Sequence, residues 1–175
     1  RLDEAASVTL DVWDGRMAEL GERLGREREA LVSRLEPLVV EAYARLAGES
    51  AELGLAYCPP WREQGLAEAL AESRANDLRR GVSTVGPHRD DLEVSLNSMP
   101  SRTHASQGEQ RTLALALRLA AHRLIADRVD STPILVLDDV LSELDEGRAT
   151  ALLEDLPAGQ IVITSASALP TAARP

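Results

Sequence analysis

The chain has 175 residues, 44% of them hydrophobic but only 2% aromatic, with no Phe and a formal net charge of −10. That leaves room for one good-sized domain or two small ones around an aliphatic core, and it excludes a disordered chain. The single cysteine, Cys58, excludes an internal disulfide framework. No apolar run approaches the roughly 20 residues that cross a bilayer and no signal peptide opens the chain, so a cytoplasmic protein with no membrane partner is expected. Because it opens on Arg1 rather than Met, the chain is also expected to be a piece of something longer.

The acidity argues against whole-surface attraction to nucleic acid. All 19 basic residues are Arg, and they are unevenly spread: residues 1–73 carry −7, residues 74–130 carry +2 and residues 131–175 carry −5. Any basic surface is therefore local to the middle third. Arg suits bidentate phosphate contact, and a GC-rich genome equally accounts for the missing Lys.

In chain order, Asp11 to Gly48 reads as a helix. Met17, Leu20, Leu24, Leu31, Leu35, Leu38, Ala42 and Leu46 recur at steps of three, four or seven with Arg and Glu between them, as in an amphipathic or coiled-coil-like arm. Gly15, Gly21 and Gly25 weaken its first part, and Pro37 is expected to kink or divide it. Leu53 to Cys58 reads as a short strand stopped by Pro59-Pro60. Trp61 to Arg80 reads as a second helix, with Leu66, Leu70, Ala71 and Leu78 on one side and Gly81 closing it. Arg74, Arg79 and Arg80 suit either phosphate contact or the helix dipole. Gly86-Pro87 makes a turn, Leu92, Val94 and Leu96 alternate as a half-buried strand, and Asn97 to Arg102 turns again. His88 and Arg89 receive no role from these patterns.

Two stretches carry chemistry. In Ser106-Gln107-Gly108-Glu109-Gln110-Arg111-Thr112, Ser106 and Glu109 have the spacing of a capping box at the start of a helix that runs to about Asp127, with Leu113, Leu117, Ala120 and Leu124 inward. A capping box does not require Gly108. A small residue in the first turn suits close approach of a phosphate to free backbone amides. In the second stretch, Ile134-Leu135-Val136-Leu137 reads as a strand buried on both faces that runs into Asp138-Asp139. Carboxylates at the carboxyl end of such a strand occupy the Walker B position of P-loop NTPases, where one of them holds Mg²⁺. A core strand ending in a solvated acidic turn is the plain alternative. A helix from about Asp145 to Leu156 and a buried strand from Gln160 to Thr164 follow, and the helix–strand alternation predicts a parallel βα half-sheet. Ser165 to Pro175 reads as a frayed tail.

Taken in order, these residues resemble the C-terminal half of the RecF family, the SMC-like ABC-type ATPases of bacterial recombinational repair. Ser106 to Thr112 resembles the family's signature motif, Ile134 to Asp139 its Walker B strand, and Ser142-Glu143-Leu144-Asp145 its D-loop. Gly86 to Leu92 resembles a segment distinctive of the family; Leu10 to Asp14 and Leu35 to Leu38 resemble its helical arm. The resemblance implies an α/β fold: a partial ABC-type ATPase lobe, with a parallel sheet flanked by helices, preceded by a helical arm of antiparallel helices. The arm would be residues 1–80 and the lobe residues 81–175. It implies an ATP-dependent homodimer in which Ser106, Gln107, Gly108, Glu109 and Gln110 of one protomer cap the nucleotide of the other. It further implies that Asp138 holds Mg²⁺ through water, that Asp139 orients or deprotonates the attacking water, and that Ser142 and Asp145 lie at the dimer interface.

The implied function is an ATP-dependent clamp on DNA, double-stranded and at single-strand/double-strand junctions. The clamp would work with recombination mediators of the RecO/RecR type to load recombinase and maintain replication forks. There is no G-x-x-x-x-G-K-[S/T] phosphate loop in the chain and no Lys to complete one. Weak ATPase activity is therefore expected of a full-length dimer and none of these 175 residues alone. Thr164-Ser165 stands where ABC proteins usually carry a switch histidine. The alternatives are a fragment of another SMC-like ATPase, or a non-enzymatic helical interaction module.

Overall fold

The computed structural model describes residues 4–129 and 131–166, so the tail expected from Ser165 lies, beyond Ala166, outside the described residues. The elements are α1 (Glu4–Ala47), β1 (Leu53–Cys58), α2 (Leu66–Arg80), β2 (Asp91–Leu96), β3 (Met99–Pro100), α3 (Ser101–His104), α4 (Gln107–Ala126), β4 (Leu135–Asp138), α5 (Glu146–Glu154) and β5 (Ile161–Thr164), with a 3-10 turn over Val140–Glu143. They form a three-stranded sheet in the order β1-β2-β3 and a two-stranded sheet of β4 and β5. Two compact units emerge: one of residues 1–32 and 55–93, the other of residues 33–54 and 94–175. The grouping cuts across the 80/81 division read from the sequence, because α1 runs through both units and Asp90 is tied to Arg28, Tyr57 and Trp61.

α1 begins earlier than the sequence pattern suggested, and Pro37 does not divide it. An interior proline costs a helix about 3 kcal/mol. The turns after it are the best-buried part of α1, with Val39, Ala42, Tyr43 and Leu46 between 0% and 3% exposed, and that burial offsets the cost. The first half of α1 reverses the expected polarity. Met17, Leu20, Leu24 and Leu31, the expected inner seam, are exposed. The covered face instead holds Ala18, Gly21 and Gly25. A side chain on Gly21 would collide with Leu66 and Pro87, and one on Gly25 would lie 2.9 Å from the Trp61 ring. The glycines cost helix propensity and permit close packing around the cluster of Ala18, Trp61, Leu66, Ala69 and Leu70.

α2 starts at Leu66 rather than Trp61. Trp61 is instead a buried anchor in the preceding turn, its indole N–H donating to Asp90 Oδ1 at 2.8 Å. Gly81 closes α2 in the left-handed conformation (φ 68°), as its position predicted. The covered face of α2 is Leu66, Ala69 and Leu70; Ala71 and Leu78 are exposed. The turn after β2 is shorter than expected. Asn97 and Ser98, both at positive φ, make a two-residue hairpin to β3. β2 is covered mainly at its end, Leu96, instead of alternating throughout.

The Asp90 carboxylate is 1% exposed and holds the first unit together. It accepts from the Tyr57 hydroxyl, the Trp61 indole and Arg28 Nη1, while Arg28 also donates to the Pro87 carbonyl. Burial, and after it the Asp90 hydrogen bond, raises the Tyr57 phenol above its ordinary pKa. Asp90→Ala would strand three donors, one on a half-buried cation. The expected cost is about 2–4 kcal/mol of stability, read as a fall in the urea midpoint, whereas Asp90→Asn, which keeps an acceptor, should cost less.

In the second unit β4 and β5 pair in parallel, Leu135 opposite Ile161 and Asp138 opposite Thr164, as the helix–strand alternation predicted. Leu135 and Leu137 are buried, but Ile134 and Val136 are 59% and 61% exposed. The expectation of burial on both faces is therefore met on one face only, because no described element covers the other. α4 buries Leu113 and Ala120 of the expected stripe, while Leu117 and Leu124 are only half-buried and Leu115, Ala116 and Leu119 complete the covered face. α5 buries Ala149 and Leu152, two of the three inward residues expected.

Candidate functional site

The site is built at two places in the second unit, the N-terminus of α4 and the carboxyl end of β4. At the first, Ser106 is the N-cap in an extended conformation. Its hydroxyl accepts from the Glu109 amide at 3.3 Å, and the Glu109 carboxylate accepts from the Ser106 amide at 2.7 Å. The capping box read from the spacing is thus formed. The Ser106 side-chain hydrogen bond, with that from its backbone amide, lowers the Glu109 carboxyl below its ordinary pKa. Gln110 folds back to donate to the Ala105 carbonyl at 2.9 Å. Ser106 and Gln107 are exposed, and Gly108 is half-buried. Thr112 is buried and donates to the Gly108 carbonyl at 2.9 Å, which tightens the first turn.

At the second, the parallel register sets Asp138 beside Thr164, whose hydroxyl donates to Asp138 Oδ1. Asp139 leaves the strand with φ 50° and ψ 23°, a left-handed conformation that Asp tolerates better than most residues. Its amide donates to the Thr164 carbonyl and hydroxyl at 3.1 and 3.0 Å, its carboxylate accepts from the Ala166 amide at 3.2 Å, and its carbonyl accepts from the Ser142 hydroxyl at 2.8 Å. The turn after the strand is therefore fixed by β5, and both carboxylates are exposed. Asp145 caps α5, accepting from the Arg148 amide at 2.9 Å. Among the described residues no three His, Cys, Asp or Glu side chains cluster as a metal cage. An oxygen donor set of one or two carboxylates nevertheless fits Mg²⁺, which keeps its waters and takes its other ligands from phosphates.

Beyond its capped first turn, α4 lies beside the acidic turn. A cleft of about 320 Å³ is lined by Arg111, Leu115 and Arg118 of α4 and by Asp138, Asp139 and Glu143. Arg111 bridges them, donating to the Glu143 carbonyl at 3.3 Å with its Nε 3.6 Å from the carboxylate. The sequence reading included Arg111 in the Ser106–Thr112 stretch without a role of its own and missed Arg118 and Arg148, since lone arginines on helices carry no spacing signal. It left the role of Thr164 open; the parallel register alone places its hydroxyl on Asp138. Outside this unit, Arg74 is paired with Asp11 and Asp14, and His88 and Arg89 both bond the Ser83 carbonyl.

This fold and these motifs define part of an ABC-type ATPase lobe, an α/β arrangement with a parallel strand pair, flanking helices and a long N-terminal helix. No protein-family model matches the chain. It is 44% identical over 175 residues to the DNA replication and repair protein RecF of Frankia alni, covering 90% of this chain and 46% of that protein. It is 40% identical over 161 residues to RecF of Synechocystis, covering 87% of this chain and 42% of that one. A solved structure of the recombination mediator protein RecF with ATP, in the RecFOR pathway, superposes with a TM-score of 0.76 at 28% identity, over 91% of this chain and 45% of that one. The ATPγS form of the same mediator matches equally well. The chain belongs to the RecF family and spans about half the length of the curated relatives it matches. Among the described residues no helix is long and apolar enough to cross a membrane.

Ser106→Ala removes the cap of α4 and should cost about 1 kcal/mol, seen as faster hydrogen exchange at the Glu109 amide. Because the folded Glu109 pKa is lowered, its contribution is present above the unfolded carboxyl pKa and disappears as pH falls through the folded one. Acidification into that range should therefore lower the protection of the same amide, taken relative to its intrinsic exchange rate at each pH, in the unmodified chain.

Proposed function

We propose that this chain supplies the Mg²⁺ carboxylate and the trans-acting cap of a composite ATP site in a DNA-repair ATPase of the RecFOR pathway. The observation that supports the reading is that one unit carries both ends: α4 opens on a capped, glycine-containing first turn, and β4 ends in an Asp138–Asp139 turn braced by Thr164. A helix N-terminus attracts phosphate, here that of the other protomer's nucleotide, and a carboxylate at a strand's carboxyl end suits the cation of this protomer's own nucleotide.

In this reading residues 1–80 serve as the arm and residues 81–175 carry the signature, Walker B and D-loop. In the ATP-bound dimer, Ser106 and the amides near Gly108 meet the γ-phosphate held by the other protomer, with Gln107, Glu109 and Gln110 shaping that turn. Mg²⁺ would supply charge neutralisation of the phosphates, and Asp138, its carboxylate held by the Thr164 hydroxyl, would hold it through water. Asp139 orients the attacking water and accepts its proton. Asp is one methylene shorter than the Glu common in ABC proteins, which suits slow turnover and a clamp that stays closed. Ser142 and Asp145 lie at the dimer interface. Closure on ATP grips DNA and works with the mediators of the pathway at single-strand/double-strand junctions. The positive middle third of the sequence fits local rather than global DNA contact.

The composite site is tested by mixing, in a full-length RecF protein carrying this chain, a Ser106→Arg protomer with one whose phosphate-loop lysine is disabled. The mixture should recover ATP-dependent dimers that neither variant forms alone; no recovery at any ratio would overturn the reading. Asp139→Asn should trap an ATP-bound dimer and slow turnover at least about a hundredfold, within the usual range for general-base catalysis. Unchanged turnover would remove Asp139 from that role. The 175-residue chain alone should show no ATP turnover, and robust hydrolysis by it would contradict the division of the site.

A further inference from the structure

We propose that Arg148 is the positioning residue that locks the D-loop onto the signature helix, so that Ser106 and Asp145 meet the opposite nucleotide as one rigid unit. The proposal rests on the composite-site reading. Arg148 lies in α5, outside every motif that pointed to the site. Its amide donates to Asp145 Oδ1 at 2.9 Å and its Nη1 lies 3.3 Å from Asp145 Oδ2, so one residue engages both oxygens of the D-loop carboxylate. The same Nη1 lies 2.7 Å from where a methyl group on Gly108 would sit. The guanidinium therefore rests over the first turn of α4, filling the space that the glycine opens.

An isolated i,i+3 ion pair contributes little. What distinguishes this one is its reach into a second element and its position. A cation at a helix N-terminus is on the unfavourable end of the dipole. It is tolerated here because Asp145 holds it and because Glu109, whose carboxyl its charge helps to lower, is close by. The Arg148 side chain is 28% exposed, so it is held against the helix rather than extended into solvent. An incoming phosphate would relieve the remaining repulsion between Arg148 and the helix end, so ligand binding and the latch favour each other. Gly108 then serves Arg148 as well as the phosphate. Alanine at that position would collide only with the far end of a flexible side chain, displacing the latch without breaking the fold.

The test uses mixed dimers of a full-length RecF protein carrying this chain, in which one protomer has a disabled phosphate-loop lysine. Only one composite site then works, and its cap comes from the disabled protomer. Arg148→Ala on the disabled protomer should lower ATP turnover by about tenfold to a hundredfold, the scale of a misplacement of about 1 Å. The same substitution on the competent protomer should leave turnover within about twofold of the unsubstituted mixture. In homodimers, Gly108→Ala should lower turnover comparably with no fall in melting temperature, and Gly108→Ala with Arg148→Ala should be no worse than either alone. Equal losses from both placements, or additive losses in the double variant, would overturn the proposal and leave Arg148 a merely structural residue. Ser106→Arg on the disabled protomer is the internal control. If it abolishes turnover while Arg148→Ala does not, the latch alone fails. If neither has an effect, the composite-site reading fails and takes the latch with it.

Discussion

The parallel pairing of β4 with β5 is the constraint on which the site depends. Two strands of four residues, in the register that sets Asp138 opposite Thr164, decide where both carboxylates stand. Thr164 binds the Asp138 side chain and the Asp139 amide, so β5 orients one acid and turns the chain at the other. The left-handed backbone at Asp139 is sustained by those bonds and by the Ser142 and Ala166 contacts that follow. A slip of one residue would reverse the faces of the strand and remove Asp138 from the threonine. The second face of the pair, with Val136 on β4 and Val162 on β5, is exposed, because no described element covers it.

A different economy governs the first unit. There α1 buries its small residues and exposes its large ones. Gly21 and Gly25 allow Leu66, Pro87 and Trp61 to approach the helix backbone, and Asp90 gathers Arg28, Tyr57 and Trp61 around one buried carboxylate. This gives the Gly86–Leu92 segment a physical account that does not involve nucleotide. Its aspartate is a packing hub, while His88 and Arg89 hold the preceding loop through the Ser83 carbonyl.

The elements with local chemistry were legible before the structure. Ser106 and Glu109 announce a capping box because both partners lie within one helical turn. Gly81 marks the end of α2 because few other residues accept its backbone angles, and Pro59-Pro60 stops β1 because proline lacks the amide a strand needs. Elements that depend on distant partners were read less well. Trp61 looked helical by pattern and is an anchor in a turn, because Asp90, 29 residues away, holds its indole. Met17, Leu20, Leu24 and Leu31 looked like an inner face and are exposed, because spacing reports that a face is apolar but not what covers it.

By itself the sequence determined the family resemblance, the capping box of α4, the two acids that end β4, the helix–strand alternation that makes β4 and β5 parallel, and the lack of a phosphate loop within these residues. All of these are carried by residues close together in the chain or by their order along it. Only the tertiary structure decided that Thr164 orients Asp138, that Arg111 joins α4 to the acidic turn, and that Arg148 of α5 fills the space over Gly108. Those pairs lie 26, 32 and 40 positions apart, and a side chain's reach across such separations is set by how strands and helices pack, which no local pattern encodes.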